Sequence, residues 1–215
     1  MNRLNTIVLD FDGVLVESNA IKDQAFEIVF GGYPVQLPKI MEYHRSTDRI
    51  RFEKFRYICE DILGLTYTKE LEARWAKAFS DYVIRETKIC PWVEGAQRFL
   101  ERFYPTVPLY LVSVNPKVDL ETILRSRDIR KYFKNVFAVT GDKTDALRAV
   151  MSLEKADGAN GVFIGDSRSD FDAARKAGID FVGRESGDSL KNVLAPVFKN
   201  MDLVRDHIMR SWETD

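Results

Sequence analysis

The sequence is short of the residues that build soft-metal and disulfide sites, with two histidines, His44 and His207, and two cysteines, Cys59 and Cys90, in 215 residues. The histidines stand far apart and leave no zinc-type ligand pattern. The cysteines have no motif spacing, and in a reducing compartment each is expected to be a small buried hydrophobe rather than half of a disulfide. Net charge is lacking as well. Thirty-two basic residues against 33 acidic ones give −1, so no global field favours nucleic acid, an anionic membrane or another polyanion. Long apolar runs are also missing. None approaches the roughly 20 residues that span a bilayer, and the first one meets Asp10 too soon for the hydrophobic region of a signal peptide. Neither an internal repeat nor a low-complexity segment occurs. These absences lead us to expect a cytoplasmic protein with no membrane or nucleic-acid partner.

What is present is a core. The chain is 45% hydrophobic and 12% aromatic, enough for one buried domain plus an insertion. Short apolar runs rich in β-branched residues recur between helical stretches, the pattern of a parallel sheet covered by helices on both faces. The expected strands are Thr6–Phe11, Pro108–Val114, Val136–Thr140, Gly161–Gly165 and Asp180–Val182. A short strand at Val197–Phe198 and a helix from Asp202, as its N-cap, to about Met209 close the chain. Positions 12–107 exceed what a single crossover helix needs. The stretch from Glu17 to Lys88 therefore reads as an inserted helical subdomain, with Ile21, Ala25, Ile28 and Val29 on one apolar face and Phe52, Phe55, Cys59 and Ile62 on another. Trp75, Phe79 and Trp92 are expected in core or interface positions.

Several strands end on a polar residue of catalytic type, where ligands of open α/β sheets bind. After Thr6-Ile7-Val8-Leu9 come Asp10-Phe11-Asp12-Gly13, two carboxylates two positions apart. Adjacent anions are costly unless a cation or proton compensates them, so the pair suggests a metal or an acid/base couple; the plain alternative is a solvated turn. After the fourth strand, Gly165-Asp166-Ser167-Arg168-Ser169-Asp170 places two more carboxylates at a helix start, where helix capping alone would also favour aspartate. Together the clusters form an oxygen-rich, histidine-free set suited to a hard ion such as magnesium.

These two clusters, with Ser113 after a strand and Lys143 opening a helix, resemble in order the four motifs of the haloacid dehalogenase superfamily. The resemblance covers essentially the whole chain, and the place of the insertion is similar to the helical-cap subgroup that includes phosphoglycolate phosphatases and β-phosphoglucomutases. It implies a Rossmann-like parallel α/β core, 1–16 and 89–215, with a helical cap, 17–88, inserted after the first strand. By the same resemblance Asp10 is the nucleophile that forms an aspartyl-phosphate, and Asp12 is the general acid/base. Magnesium is held by Asp10, Asp166 and the Asp12 carbonyl, with Asp170 a ligand or an orienting residue, and Ser113 and Lys143 bind the phosphoryl oxygens. Motif II departs from the common Ser/Thr-Asn pair, since Val114 separates Ser113 from Asn115; Asn115 reaches the phosphate or the cap. The presence of Asp12 argues against the dehalogenase branch, which needs no acid for an alcohol leaving group.

The run Tyr43–Tyr57 is the most basic and aromatic in the chain. Among its residues, one or two of His44, Arg45, Arg49 and Arg51 are candidates for holding an anionic or polyhydroxylated leaving group; the alternative is a solvated amphipathic helix with Phe52 and Phe55 inward. The insertion is expected to join the core through hinges near Val16–Ser18 and Thr87–Pro91, and Glu17, at the first of them, is a further substrate candidate or an exposed glutamate. The expected activity is magnesium-dependent hydrolysis of a small phosphate ester, a sugar phosphate or phosphorylated carboxylic acid. The competing readings are a phosphomutase and a catalytically silent binding module. The sequence leaves open a monomer or a homodimer.

Overall fold

The computed structural model describes residues 2–47 and 49–213. Met1, Asp48, Thr214 and Asp215 lie outside the described residues. The chain divides into two compact units, one comprising Met1–Glu17 and Cys90–Asp215, the other Ser18–Ile89. Both breaks fall one residue later than expected, so Glu17 belongs with the sheet.

The larger unit is built on six parallel strands in the order β4-β3-β2-β5-β6-β7: β2 (Thr6–Leu9), β3 (Leu109–Ser113), β4 (Asn135–Ala138), β5 (Gly161–Gly165), β6 (Asp180–Arg184) and β7 (Val197–Phe198). Every residue of β2, β3 and β5 is buried, which is why these strands read as unbroken apolar runs rather than alternating ones. The β2 strand is central, pairing Ile7 with Leu109 on one side and Val162 on the other. From it the chain winds outward through β3 and β4, then returns to β5 and runs the opposite way. The order therefore reverses beside the carboxyl end of β2, where open sheets leave a crevice. Helices α5 (Ala96–Phe103), α6 (Lys117–Ser126), α7 (Thr144–Leu153), α8 (Arg168–Ala177) and α9 (Met201–Ser211) accompany the sheet. One apolar cluster joins Val8, Tyr110 and Phe163 of the strands to Leu147 and Val150 of α7 and Phe171 and Ala174 of α8.

Two expectations need correction here. The first strand stops at Leu9 rather than Phe11, because Leu15 N–H donates to the Phe11 carbonyl and Gly13 takes a left-handed φ of 68°, so the chain turns immediately after Asp10. The N-cap of α9 is Asn200, whose side chain accepts from Leu203 N–H at 3.0 Å, while Asp202 pairs with Arg98 and Arg205. A two-residue parallel pair, β1 (Asn2–Arg3) with β8 (Trp212–Glu213), was not anticipated.

The smaller unit is helical: α1 (Asn19–Phe30), α2 (Leu37–Ser46), α3 (Arg51–Tyr57) continued by a π turn at Ile58–Ile62, and α4 (Lys69–Ile89). Its interior is aromatic. Phe30 meets Trp75 at 4.8 Å between ring centroids, and Phe26 meets Phe79 at 5.4 Å. The buried stripe of α1 is Ile21, Ala25, Phe26 and Phe30, which corrects the expected face: Ile28 is exposed. On α3, Phe55 is buried, whereas Phe52, expected on the same inward face, is exposed. Both cysteines are buried and neither is in a disulfide. Among the described residues no helix is long and apolar enough to cross a membrane.

Candidate active site

The carboxyl ends of β2, β3 and β5 bring together four aspartates, a lysine, a serine and an asparagine. Asp10 follows β2 with its N–H donating to the Ile164 carbonyl at 2.9 Å, so the central strand's ladder fixes its backbone. Asp166 follows β5, and Asp170 lies in the first turn of α8. One carboxylate oxygen from each of Asp10, Asp166 and Asp170 lies within 4.8 Å of the other two, all three residues buried.

Asp170 is held closely. Its Oδ2 accepts from Ser167 Oγ at 2.7 Å and from the Asp166 and Ser167 N–H groups at 3.2 Å, and Ser167 Oγ accepts from Asp170 N–H in return. This reciprocal cap ends α8 at its N-terminus, and Gly165 gives it room: a Cβ there would meet Asp170 Cβ at 2.5 Å. The capping reading and the site reading of Asp170 are thus both realised by one side chain, since Oδ1 accepts from Lys143 Nζ at 2.7 Å. The same ammonium lies 2.8 Å from Asp10 Oδ1. Lys143, at the N-cap of α7, is buried. Burial pulls its pKa down, and Asp10 and Asp170 more than reverse this, leaving the ammonium above its ordinary range.

Asp12 faces a different partner. Asn115 Nδ2 donates to Asp12 Oδ2 at 2.7 Å, and Asn115 N–H donates to Ser113 Oγ at 3.2 Å. Ser113 closes β3 and is fully buried. The intervening Val114 leaves Asn115 able to reach the second aspartate.

Two buried carboxylates, those of Asp10 and Asp170, thus share one buried ammonium, and those of Asp166 and Asp12 are near enough to act on Asp10. Asp10 registers the imbalance. Its pKa is raised from 3.8 to about 7, first by burial, with Lys143 opposing and Asp170, Asp166 and Asp12 adding to the rise. Excess negative charge on close oxygen donors, without sulfur or imidazole, fits a hard divalent cation.

Two contributors lay outside the sequence reading. Ser186, just past β6, donates to Asp166 Oδ2 at 2.6 Å. Arg184, the last residue of β6, donates through Nη1 to the Gly13 carbonyl and to Glu17 Oε2, both at 3.0 Å, and through Nη2 to Glu17 Oε1. Their position at a strand's carboxyl end was the available signal, but neither forms a local pattern.

The remaining candidates lie in the helical unit, or at its border in the case of Glu17, which Arg184 engages. His44 is buried and stacked on Phe26 at 3.8 Å between ring centroids. Its Nε2 lies 3.0 Å from Asp23 Oδ1 and its Nδ1 lies 3.2 Å from Lys54 Nζ. Burial and Lys54, against Asp23, lower its pKa to about 4. The neutral ring then donates to Asp23 and accepts from Lys54. Arg45 donates to Asp23 Oδ2 at 2.7 Å, and Arg49 lies over Tyr57, 6.0 Å from the ring centroid. Much of the basic run thus has partners inside its own unit.

A family model described as haloacid dehalogenase-like hydrolase matches residues 7–184. Phosphoglycolate phosphatase 1 of Pseudomonas aeruginosa is 26% identical over 185 residues, covering 80% of this chain and 66% of that protein's length, just under two thirds of the relative. Among solved structures, a predicted phosphatase from Clostridium acetobutylicum superposes with a TM-score of 0.74 at 18% identity, covering 97% of this chain and 100% of the other. CbbY from Rhodobacter sphaeroides, solved in complex with xylulose-1,5-bisphosphate, gives 0.71 at 13% identity, covering 92% and 94%. At these identities the structural matches speak for the fold.

Proposed function

The chain belongs to the haloacid dehalogenase-like hydrolase family, and on that premise we propose that it is a magnesium-dependent phosphatase of a small phosphorylated metabolite. The observation that carries this reading is the buried Asp10–Lys143–Asp170 bridge beside Asp166, with Asp12 held separately by Asn115. Two aspartates two residues apart thus have different surroundings, as an acid/base group and a nucleophile require.

In this reading an Asp10 carboxylate oxygen attacks phosphorus, the bond from phosphorus to the ester oxygen breaks, and Asp12 donates its proton to the leaving alkoxide. Asp12, now ionised, takes a proton from water as the water oxygen attacks the aspartyl-phosphate. Inorganic phosphate leaves and Asp10 is regenerated. Lys143 compensates charge on the phosphoryl oxygens and Ser113 supplies a hydroxyl to them. Asp10, Asp166 and the Asp12 carbonyl would hold magnesium, which supplies charge neutralisation of the phosphoryl group when bound. We assign Asp170 an orienting role, because its cap bonds and Lys143 occupy both of its oxygens. Asn115 is assigned to Asp12 rather than to phosphate. The inserted helical unit is proposed as the specificity element, the substrate as a sugar phosphate or phosphorylated carboxylic acid, and the setting as the cytoplasm.

The test is phosphate release from sugar phosphates, phosphoglycolate, nucleoside monophosphates and an activated aryl phosphate, with magnesium or with excess chelator. Release that requires magnesium supports the reading. Conversion of a sugar phosphate to its isomer without net release would point to a phosphomutase, and inertness toward the aryl ester would sink both.

A further inference from the structure

Arg184 is a buried cation that the chemistry above does not use. It sits at the end of β6, yet its guanidinium is spent on the segment that follows β2. Nη1 is shared between the Gly13 carbonyl and Glu17 Oε2, each at 3.0 Å, and Nη2 takes Glu17 Oε1. The side chain is only 10% exposed. The carbonyl it grips belongs to the residue directly after Asp12. That residue stands at a left-handed φ of 68°, a conformation open to glycine because it has no Cβ. On its other side the turn is closed by its own backbone, Gly13 N–H to the Val16 carbonyl and Leu15 N–H to the Phe11 carbonyl, both at 2.9 Å.

We propose that Arg184 and Glu17 form a positioning clamp that fixes the Gly13–Val14 peptide, one peptide beyond Asp12, and through the Gly13 turn the placement of the Asp12 carboxylate and carbonyl. This inference rests on the assignment of Asp12 as acid/base. Asn115 holds Asp12 at the tip of its side chain, and Arg184 holds its backbone one peptide away, so the two together leave little freedom for the group that must give and then recover a proton. The planar fork explains why arginine stands here: one guanidinium reaches a carbonyl and both oxygens of a carboxylate, which an ammonium does not match. Glu17, from sequence either a substrate candidate or an exposed glutamate, becomes the anchor of Arg184. Its two oxygens face the guanidinium, and neutralising that buried charge is its task.

The test compares Arg184→Met, Arg184→Lys and Glu17→Gln with wild type in magnesium-dependent hydrolysis of an aryl phosphate. Rates are referred to folded protein by circular dichroism, and apparent magnesium affinity is read from thermal shift without substrate. Misplacing a reacting group by about 1 Å costs on the order of 100-fold. We therefore expect Arg184→Met to lose roughly 10- to 100-fold in kcat with KM within about threefold. Arg184→Lys should fall between it and wild type, and Glu17→Gln should lose less than Arg184→Met, because the Gly13 bond survives. A folded Arg184→Met with unchanged kcat, or with a raised KM alone, overturns the clamp. If Arg184→Met does not fold, Arg184→Lys decides, and wild-type turnover in that variant overturns it. Wild type that releases no phosphate overturns the phosphatase reading, and this inference with it. An active wild type beside an unimpaired variant overturns the clamp alone.

Discussion

Asp10→Asn is expected to abolish turnover and, in metal-free protein, to raise thermal stability. Burial, opposed by Lys143 and reinforced by Asp170, Asp166 and Asp12, raises the Asp10 carboxyl from 3.8 to about 7. A gap of about three pKa units corresponds to about 4 kcal/mol disfavouring the charged form in the fold. The folded pKa is the higher one, so the native state holds the proton more tightly than the unfolded chain. That contribution is complete below the unfolded value and is lost as pH climbs to about 7. Asparagine has no charge to penalise. It gives up the 2.8 Å contact with Lys143, but Asp170 still holds the ammonium at 2.7 Å. If half the penalty is recovered, the variant gains about 2 kcal/mol, or roughly 4–8 °C in Tm for a chain of this size. The assay is thermal denaturation in excess chelator at about pH 8 and about pH 5, bracketing the folded value. The gain should be present at the higher pH and shrink at the lower one, where wild-type Asp10 is itself neutral. Magnesium should then stabilise wild type more than the variant. A variant less stable than wild type at the higher pH, or a difference that ignores pH, would refute the account of Asp10 as a carboxylate whose charge burial disfavours more than Lys143 favours it.

Asp12→Asn should still be phosphorylated by an activated aryl ester, whose leaving group needs no acid, but should hydrolyse the intermediate slowly. Rapid-quench measurement of the two half-reactions checks this, and equal loss in both counts against the acid/base role. Ser186→Ala removes the 2.6 Å bond to Asp166 and should weaken apparent magnesium affinity roughly 10-fold or more with little change in fold, as read by thermal shift across a magnesium titration. Asn200→Ala deletes the cap of α9 and should cost about 1 kcal/mol in urea denaturation without altering kcat. A cost near zero would return the capping role to Asp202.

How much of this was legible in the sequence follows from the range of each interaction. The strands β2, β3 and β5 could be read because each is buried throughout and so appears as an unbroken apolar run, and Asp10, Ser113 and Asp166 could be placed because they stand where those runs end. The phase of α1 was harder. Ile28 continues the spacing from Ile21 and Ala25, yet Phe26 and Phe30 are the residues turned inward, because the aromatic cluster with Phe55, Trp75 and Phe79 settles the rotation of the helix. The cap of α9 was misread for a related reason. Asn200 and Asp202 are both good capping residues, and what separates them is Arg98, which lies 104 positions away and takes Asp202. His44 is drawn into its unit's interior by Asp23 and Lys54, on two other elements of the unit. The support of the candidate site was the least legible part, since Ser186 reaches Asp166 across 20 positions and Arg184 reaches Gly13 across 171. Residues that bear charge or nucleophilicity thus announce themselves at strand ends. Residues that orient them are defined by the closed sheet, because β6 must lie beside β5 before the chain leaving β6 can meet the chain leaving β2.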